Sequence, residues 1–211
     1  MDNKTSIGEK ELSKYLSVMK EIKNRELVIS GMESGRCNAM FKIVNLEVMF
    51  FQLRKILELI VKVPMIIHES EYRSITKEPE KDWRIQDIMY KLKKINPKYY
   101  PEPIEIIKYD NKPDEFKNKI TGFLTEKQLI SAYKKCNNYL HALNPLDSKK
   151  EINFEKEINF INTTLALIRG LLNVHTATPK KDGCFYYIWM QHPEHGNPHG
   201  NLFEVVENYK P

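Results

Sequence analysis

The sequence predicts a mainly α-helical protein with a small β-ribbon near its C-terminal end. Three observations carry that expectation. Glycine is scarce, with 8 residues against 11 prolines in a chain of 211, so the positive-φ turns that a sandwich or barrel needs are in short supply. Stretches rich in Leu, Ile, Lys and Glu repeat their apolar residues at helical spacing. The β-branched and aromatic runs fall late, at 184–191 and 202–207, with a loop of His, Gly and Pro between them.

From residue 9 to 28, Leu12, Leu16, Met19 and Ile22 mark a first helix that Ser30-Gly31 should break. A second helix is expected over 36–63, ending at Pro64, with a broken extension over 68–74. A third amphipathic stretch carries Trp83, Ile85, Ile88, Met89, Leu92 and Ile95 and ends at Asn96-Pro97. Residues 96–119 hold Pro97, Pro101, Pro103 and Pro113, which exclude regular helix and predict a long excursion with a short strand at 104–109. Helix resumes at Thr125, an N-cap with Gln128 as its capping-box partner, and runs to about Leu143; another helix covers about 154–173. The length suits one domain, a helical body over 1–178 with the hairpin of 179–211 as its appendage.

The net charge of +5 comes from 33 basic and 28 acidic residues in mixed-sign runs, which permits contact with nucleic acid without arguing for it. Cys37, Cys136 and Cys184 are too far apart for a metal knuckle and odd in number for a disulfide framework, so a reducing, cytoplasmic setting is expected. The N-terminus is polar, and the longest apolar segment, 40–63, carries Lys42, Glu47, Arg54, Lys55 and Glu58, so neither a signal peptide nor a membrane span is expected.

Two helices carry the residues with chemical potential. On the 125–143 helix, Leu129, Tyr133, Cys136, Leu140 and Leu143 form a buried seam, and beside it runs a polar row of Lys134, Asn137, His141 and Asn144. Such a row can project a cation, amides and an imidazole into a cleft, where His exchanges protons near neutral pH; alternatively His141 and the asparagines bond neighbouring backbone, with Asn144 capping the helix. The 36–63 helix is apolar in nearly every sector and should be central, yet one narrow sector holds Glu47, Arg54 and Glu58. Charges bordered by apolar surface need partners, and Arg54 and Glu58, four residues apart, can pair as a structural salt bridge or contribute to a site. His192, His195 and His199 with Glu194 lie in a Pro-containing loop that lacks a known zinc spacing, and it reads as a solvated turn. No phosphate-binding glycine loop or serine elbow occurs, and neither metal nor cofactor is expected.

The segment AYKKCNNYLHALNP (132–145) resembles the signature helix of HEPN domains, helical bundles found among RNases of toxin–antitoxin and phage-defence systems, and FFQLRKILELI (50–60) looks like an earlier core helix of such bundles. The resemblance implies a HEPN-like bundle over about 36–173 that forms a homodimer, an expectation that also rests on the surplus apolar surface of the 36–63 helix, more than one partner helix should cover. It also implies a metal-independent endoribonuclease site with Asn137 and His141 in the motif positions and Glu58, Glu47 and Asn144 in support. Cys136 stands where the family carries arginine, and a thiol cannot grip phosphate as a guanidinium does; Lys134, Lys135 or Arg54 is the substitute cation. The competing expectation is a catalytically degenerate module that dimerises and binds nucleic acid, nucleotide or a protein partner such as an antitoxin.

Overall fold

The computed structural model describes residues 2–111, 115–141, 152–180 and 183–204, with side chains from residue 8 onward. The element order is α1 (Asp2–Glu33), α2 (Lys42–Lys62), α3 (Pro64–Ile67), α4 (Glu69–Ile75), α5 (Ile85–Ile95), β1 (Glu102–Ile107), β2 (Glu115–Asn118), α6 (Glu126–Leu140), α7 (Phe154–Leu172), β3 (Val174–Ala177), β4 (Cys184–Trp189) and β5 (His199–Glu204). Helix dominates, as expected. Among the described residues no helix is long and apolar enough to cross a membrane.

The first helix passes through the expected stop. Gly31 stays helical because its bare Cα admits the returning chain: Cys37 N–H donates to the Gly31 carbonyl at 2.9 Å, and a Cβ on Gly31 would meet Cys37 Sγ. The stop is Gly35, whose φ of 75° turns the chain left-handed just past the last helical residue. The buried stripe of α1 is Tyr15, Met19, Ile22 and Ile29, while Leu12 and Leu16 lie half-buried at its edge.

The second helix starts later than its apolar content suggests. Asn38 Oδ1 accepts from Met40 N–H and Asn45 Oδ1 accepts from Ala39 N–H, at 2.8 and 2.7 Å; these local amide bonds hold 38–41 outside the helix. At the other end, Pro64 takes the N1 position of α3 and so converts a stop into a bend. As its composition requires, α2 is the central element: Phe50, Leu53, Ile56, Leu57, Ile60 and Val61 are fully buried, and α1, α3, α5, α6 and α7 all pack on it. Its apolar surface is thereby covered largely within one chain; Phe51 remains 42% exposed.

The expected C-terminal ribbon is part of something larger. The strands form one five-stranded antiparallel sheet in the order β2-β1-β3-β4-β5. The proline-rich excursion supplies β1 and β2, and β3 joins them to the β4–β5 hairpin through the pairs Glu102↔Thr176 and Pro103↔His175. Pro103 lacks an N–H, but its carbonyl accepts from Lys119 N–H. One sheet face packs on the helices through His175, Ala177, Tyr186 and Ile188, all buried. The alternate residues Phe185, Tyr187 and Trp189 face away.

Candidate functional site

Helices α2 and α6 pack against each other and run antiparallel. The Phe50 ring stacks on Tyr139 with centroids 3.9 Å apart, and eight residues further along α2, Glu58 meets Tyr133. Thr125 caps α6 through the full capping box with Gln128, which fixes the helix start and hence the phase of every residue after it.

At the Tyr133 level the two helices build a polar cluster in which a nearly buried carboxylate organises its surroundings. Glu58 Oε1 accepts from Arg54 Nε at 3.1 Å and from the Tyr133 hydroxyl at 3.3 Å, and Glu58 Oε2 accepts from Lys55 Nζ at 3.2 Å. Arg54 Nη2 donates to the same Tyr133 oxygen at 3.3 Å, and its guanidinium lies 5.4 Å from the Tyr133 ring centroid. Arg54 is thus held by a carboxylate on its own helix and a phenol from α6, while its side chain stays 29% exposed. Burial works against its charge, but the hydrogen bonds and charges of Tyr133 and Glu58 together raise its pKa, and a guanidinium is in any case a permanent cation.

One helical turn from Tyr133, Asn137 is half-buried, and its Oδ1 has no hydrogen-bond partner. Another turn on, His141 is exposed and has left the helix: Leu140 is the last helical residue, and His141 is the C-cap with extended backbone at φ −91° and ψ 138°. The expected continuation of the row to Asn144 lies outside the described residues. Lys134 is exposed and has no ion pair among the described residues. Lys135 is not available in the same way: its Nζ pairs with Glu157 Oε2 of α7 at 2.7 Å and sits 3.8 Å from the Phe160 centroid. Glu47 is exposed; the antiparallel crossing puts it beyond Phe50, toward the His141 end of α6.

The structure therefore brings Arg54 and Glu58 together and puts Asn137 next along the same face, with His141 two turns from Tyr133 at the helix mouth. It does not place Arg54 and His141 in contact. Tyr133, assigned to the buried seam by its spacing, is also the polar link between the helices; the available signal was its hydroxyl, because a buried phenol requires a partner. Cys136 is fully buried, and burial pushes its thiol up to about 12. It is a packing group, since the thiolate that a nucleophile requires is suppressed.

The histidine loop is compact. The His192 and His195 rings stack with centroids 4.4 Å apart, and His199 stands 4.9 Å from His192. The Nδ1 atoms of His192 and His195 accept backbone N–H bonds from Glu194 and Asn197. Among the described residues no group of three His, Cys, Asp or Glu side chains is arranged to hold a metal ion.

No protein-family model, curated protein or solved structure matches the chain significantly.

Proposed function

We propose that the chain is a HEPN-like protein whose α2–α6 face acts on RNA as a metal-independent endoribonuclease or effector, of the kind used in phage defence and toxin–antitoxin systems. The observation that carries this reading is the placement of Arg54: a surface guanidinium, held by Glu58 and Tyr133, sits on the face that continues to Asn137 and His141. Arg54 then supplies the phosphate-binding cation that Cys136 cannot, with exposed Lys134 as a second cation. His141 is the acid–base group: it removes the proton of a ribose 2′-hydroxyl as that oxygen attacks phosphorus, and a second proton goes to the departing 5′-oxygen. Asn137 orients the imidazole or the phosphate. In a homodimer, the second copy brings its own His141 to the same α2–α6 face, which supplies the second acid–base group.

The buried, protonated Cys136 favours a second reading, a catalytically degenerate module that dimerises and binds RNA, nucleotide or a protein partner. One experiment separates the two. Purified protein incubated with several RNAs should cut them in the presence of EDTA and leave 2′,3′-cyclic phosphate ends. His141→Ala should abolish cleavage without altering the melting temperature, because the side chain is exposed. Wild-type protein that shifts RNA in a gel and never cuts it establishes the binding module instead.

A further inference from the structure

The sheet face turned away from the helices is aromatic, where a solvated face should be polar. It lines a groove of about 610 Å³, within the range of small-molecule sites. At its centre is Tyr187, 5% exposed, and three rings stand nearly perpendicular to it: Phe116 at 85°, Trp189 at 83° and Phe203 at 89°, with centroids 5.5, 4.4 and 6.2 Å away. Phe116 and Phe203 are 56% and 44% exposed. The residues come from three strands, and the sheet order brings them together: Tyr187 and Trp189 on β4, Phe203 on β5 and Phe116 on β2 across the sheet.

The charge in the groove is equally specific. Among the described residues, Glu102 is the one charged side chain in the lining, and it has no cationic partner among them. Among the described residues no Lys or Arg lines the groove, so the described lining offers a nucleic-acid backbone a carboxylate and no compensating cation. A second copy of the chain would seal two unpaired carboxylates into a symmetric interface, which is costly. Rings set at right angles do not make the flat platform on which a nucleobase stacks. Together with Phe185, which stacks on Phe203 at 19°, they give an aromatic lining whose π faces carry the negative potential that attracts a compact positive charge.

We propose that this groove is a binding site for a small organic cation, an alkylated ammonium carried on an apolar body. The ammonium sits among Tyr187, Phe116, Trp189 and Phe203 with Glu102 as its counter-charge, and the apolar body runs along the rest of the groove. This site is on the opposite side of the sheet from the helices and is independent of the RNA reading.

The test uses two probes of the same shape, choline and its neutral isostere 3,3-dimethyl-1-butanol. In the full-length Trp83→Phe variant, Trp189 is the remaining indole and its fluorescence reports the groove directly. Choline should change that emission saturably, beyond a sodium chloride control of equal ionic strength, and the alcohol should bind roughly tenfold more weakly. Glu102→Gln should weaken choline several-fold and leave the alcohol unchanged, and Phe203→Leu should weaken choline, with circular dichroism confirming that both variants are folded. Equal binding of the two probes, or no saturable response to choline, overturns the proposal.

Discussion

The Tyr15 hydroxyl of α1 donates to His175 Nε2 of β3 at 2.9 Å, inside the core and across the boundary between helices and sheet. The other ring nitrogen, Nδ1, lies 2.9 Å from the Leu172 carbonyl. A carbonyl only accepts, so Nδ1 carries the proton and Nε2 is the acceptor; the imidazole is neutral and both nitrogens are satisfied.

Stability should therefore fall in mild acid. Burial holds His175 down at about 4, against an ordinary value of 6.5, and His68 is lowered by burial as well. Below pH 6.5 the unfolded chain binds a proton at His175 that the folded chain refuses, so stability is complete above pH 6.5 and drains away as pH falls toward 4. The loss from His175 is on the order of 3 kcal/mol. Urea midpoints at pH 7.5, 6, 5 and 4.5 should fall progressively, and His175→Gln should flatten that profile even though it lowers stability throughout. A profile identical in the two proteins would refute the assignment.

Gly170→Ala should be among the most damaging single-methyl additions in the chain. A Cβ at residue 170 of α7 would fall on the Gly122 carbonyl oxygen, well inside contact distance, with Phe123 Cα close behind. The loop is pinned there by Leu124 N–H to the Leu167 carbonyl at 2.9 Å and by Tyr100 Oη to the Leu124 carbonyl at 3.0 Å, so it cannot step aside. Overpacking of this kind costs about 1–3 kcal/mol or more, although alanine is the better helix former by about 1 kcal/mol. Thermal unfolding of the variant checks the sign: a stabilised protein would mean that the contact is not made.

Arg54 and Glu58 should be energetically coupled. Truncating Glu58 alone removes the acceptor shared by Arg54, Lys55 and the Tyr133 hydroxyl and leaves Arg54 only the Tyr133 oxygen, with an expected cost of about 1–3 kcal/mol. A double-mutant cycle of Arg54→Ala and Glu58→Ala should return a coupling of about 1–2 kcal/mol, whereas the same cycle between Glu47 and Arg54 should return almost none.

Alkylation at pH 8 should distinguish the cysteines. Iodoacetamide should modify exposed Cys37 in the native protein, while Cys136, buried and pushed up to about 12, should react only after unfolding. Mass spectrometry of tryptic peptides reads the outcome, and rapid native labelling of Cys136 would contradict the burial that removes it from catalysis.

The helical character, the capping box at Thr125 and the pairing of Arg54 with Glu58 are all local, and the spacing of residues along the chain made them legible. The sheet was not legible as a whole, because Pro103↔His175 joins positions whose neighbourhoods carry unrelated signals. Gly31 misled for a related reason: the glycine serves a close approach by Cys37 where local rules read a helix stop. At the candidate site, α6 supplied the polar row but not its termination at Leu140, and Tyr133 was legible as core and not as the partner of Arg54. Lys135 offered itself as a free cation because the acidic residue that captures it, Glu157, is on another helix.

The grip of the last strands on the first helix has a consequence for biosynthesis. Tyr186 Oη donates to Glu11 Oε2 at 2.7 Å, Lys23 donates to the Gly196 carbonyl, and Tyr15 waits for His175, 160 residues downstream. At ordinary elongation rates of about 5–20 residues per second, the partner arrives roughly 8–32 s after the helix leaves the ribosome. Throughout that interval the nascent chain can offer α2 and α3 to α1 and Glu69 to Lys14, but the hydrogen-bond partner of the Tyr15 hydroxyl is still missing. Until residue 175 is made, the Tyr15 hydroxyl lacks the acceptor that it has in the folded core, so the first helix completes its polar contacts only when the last strands arrive.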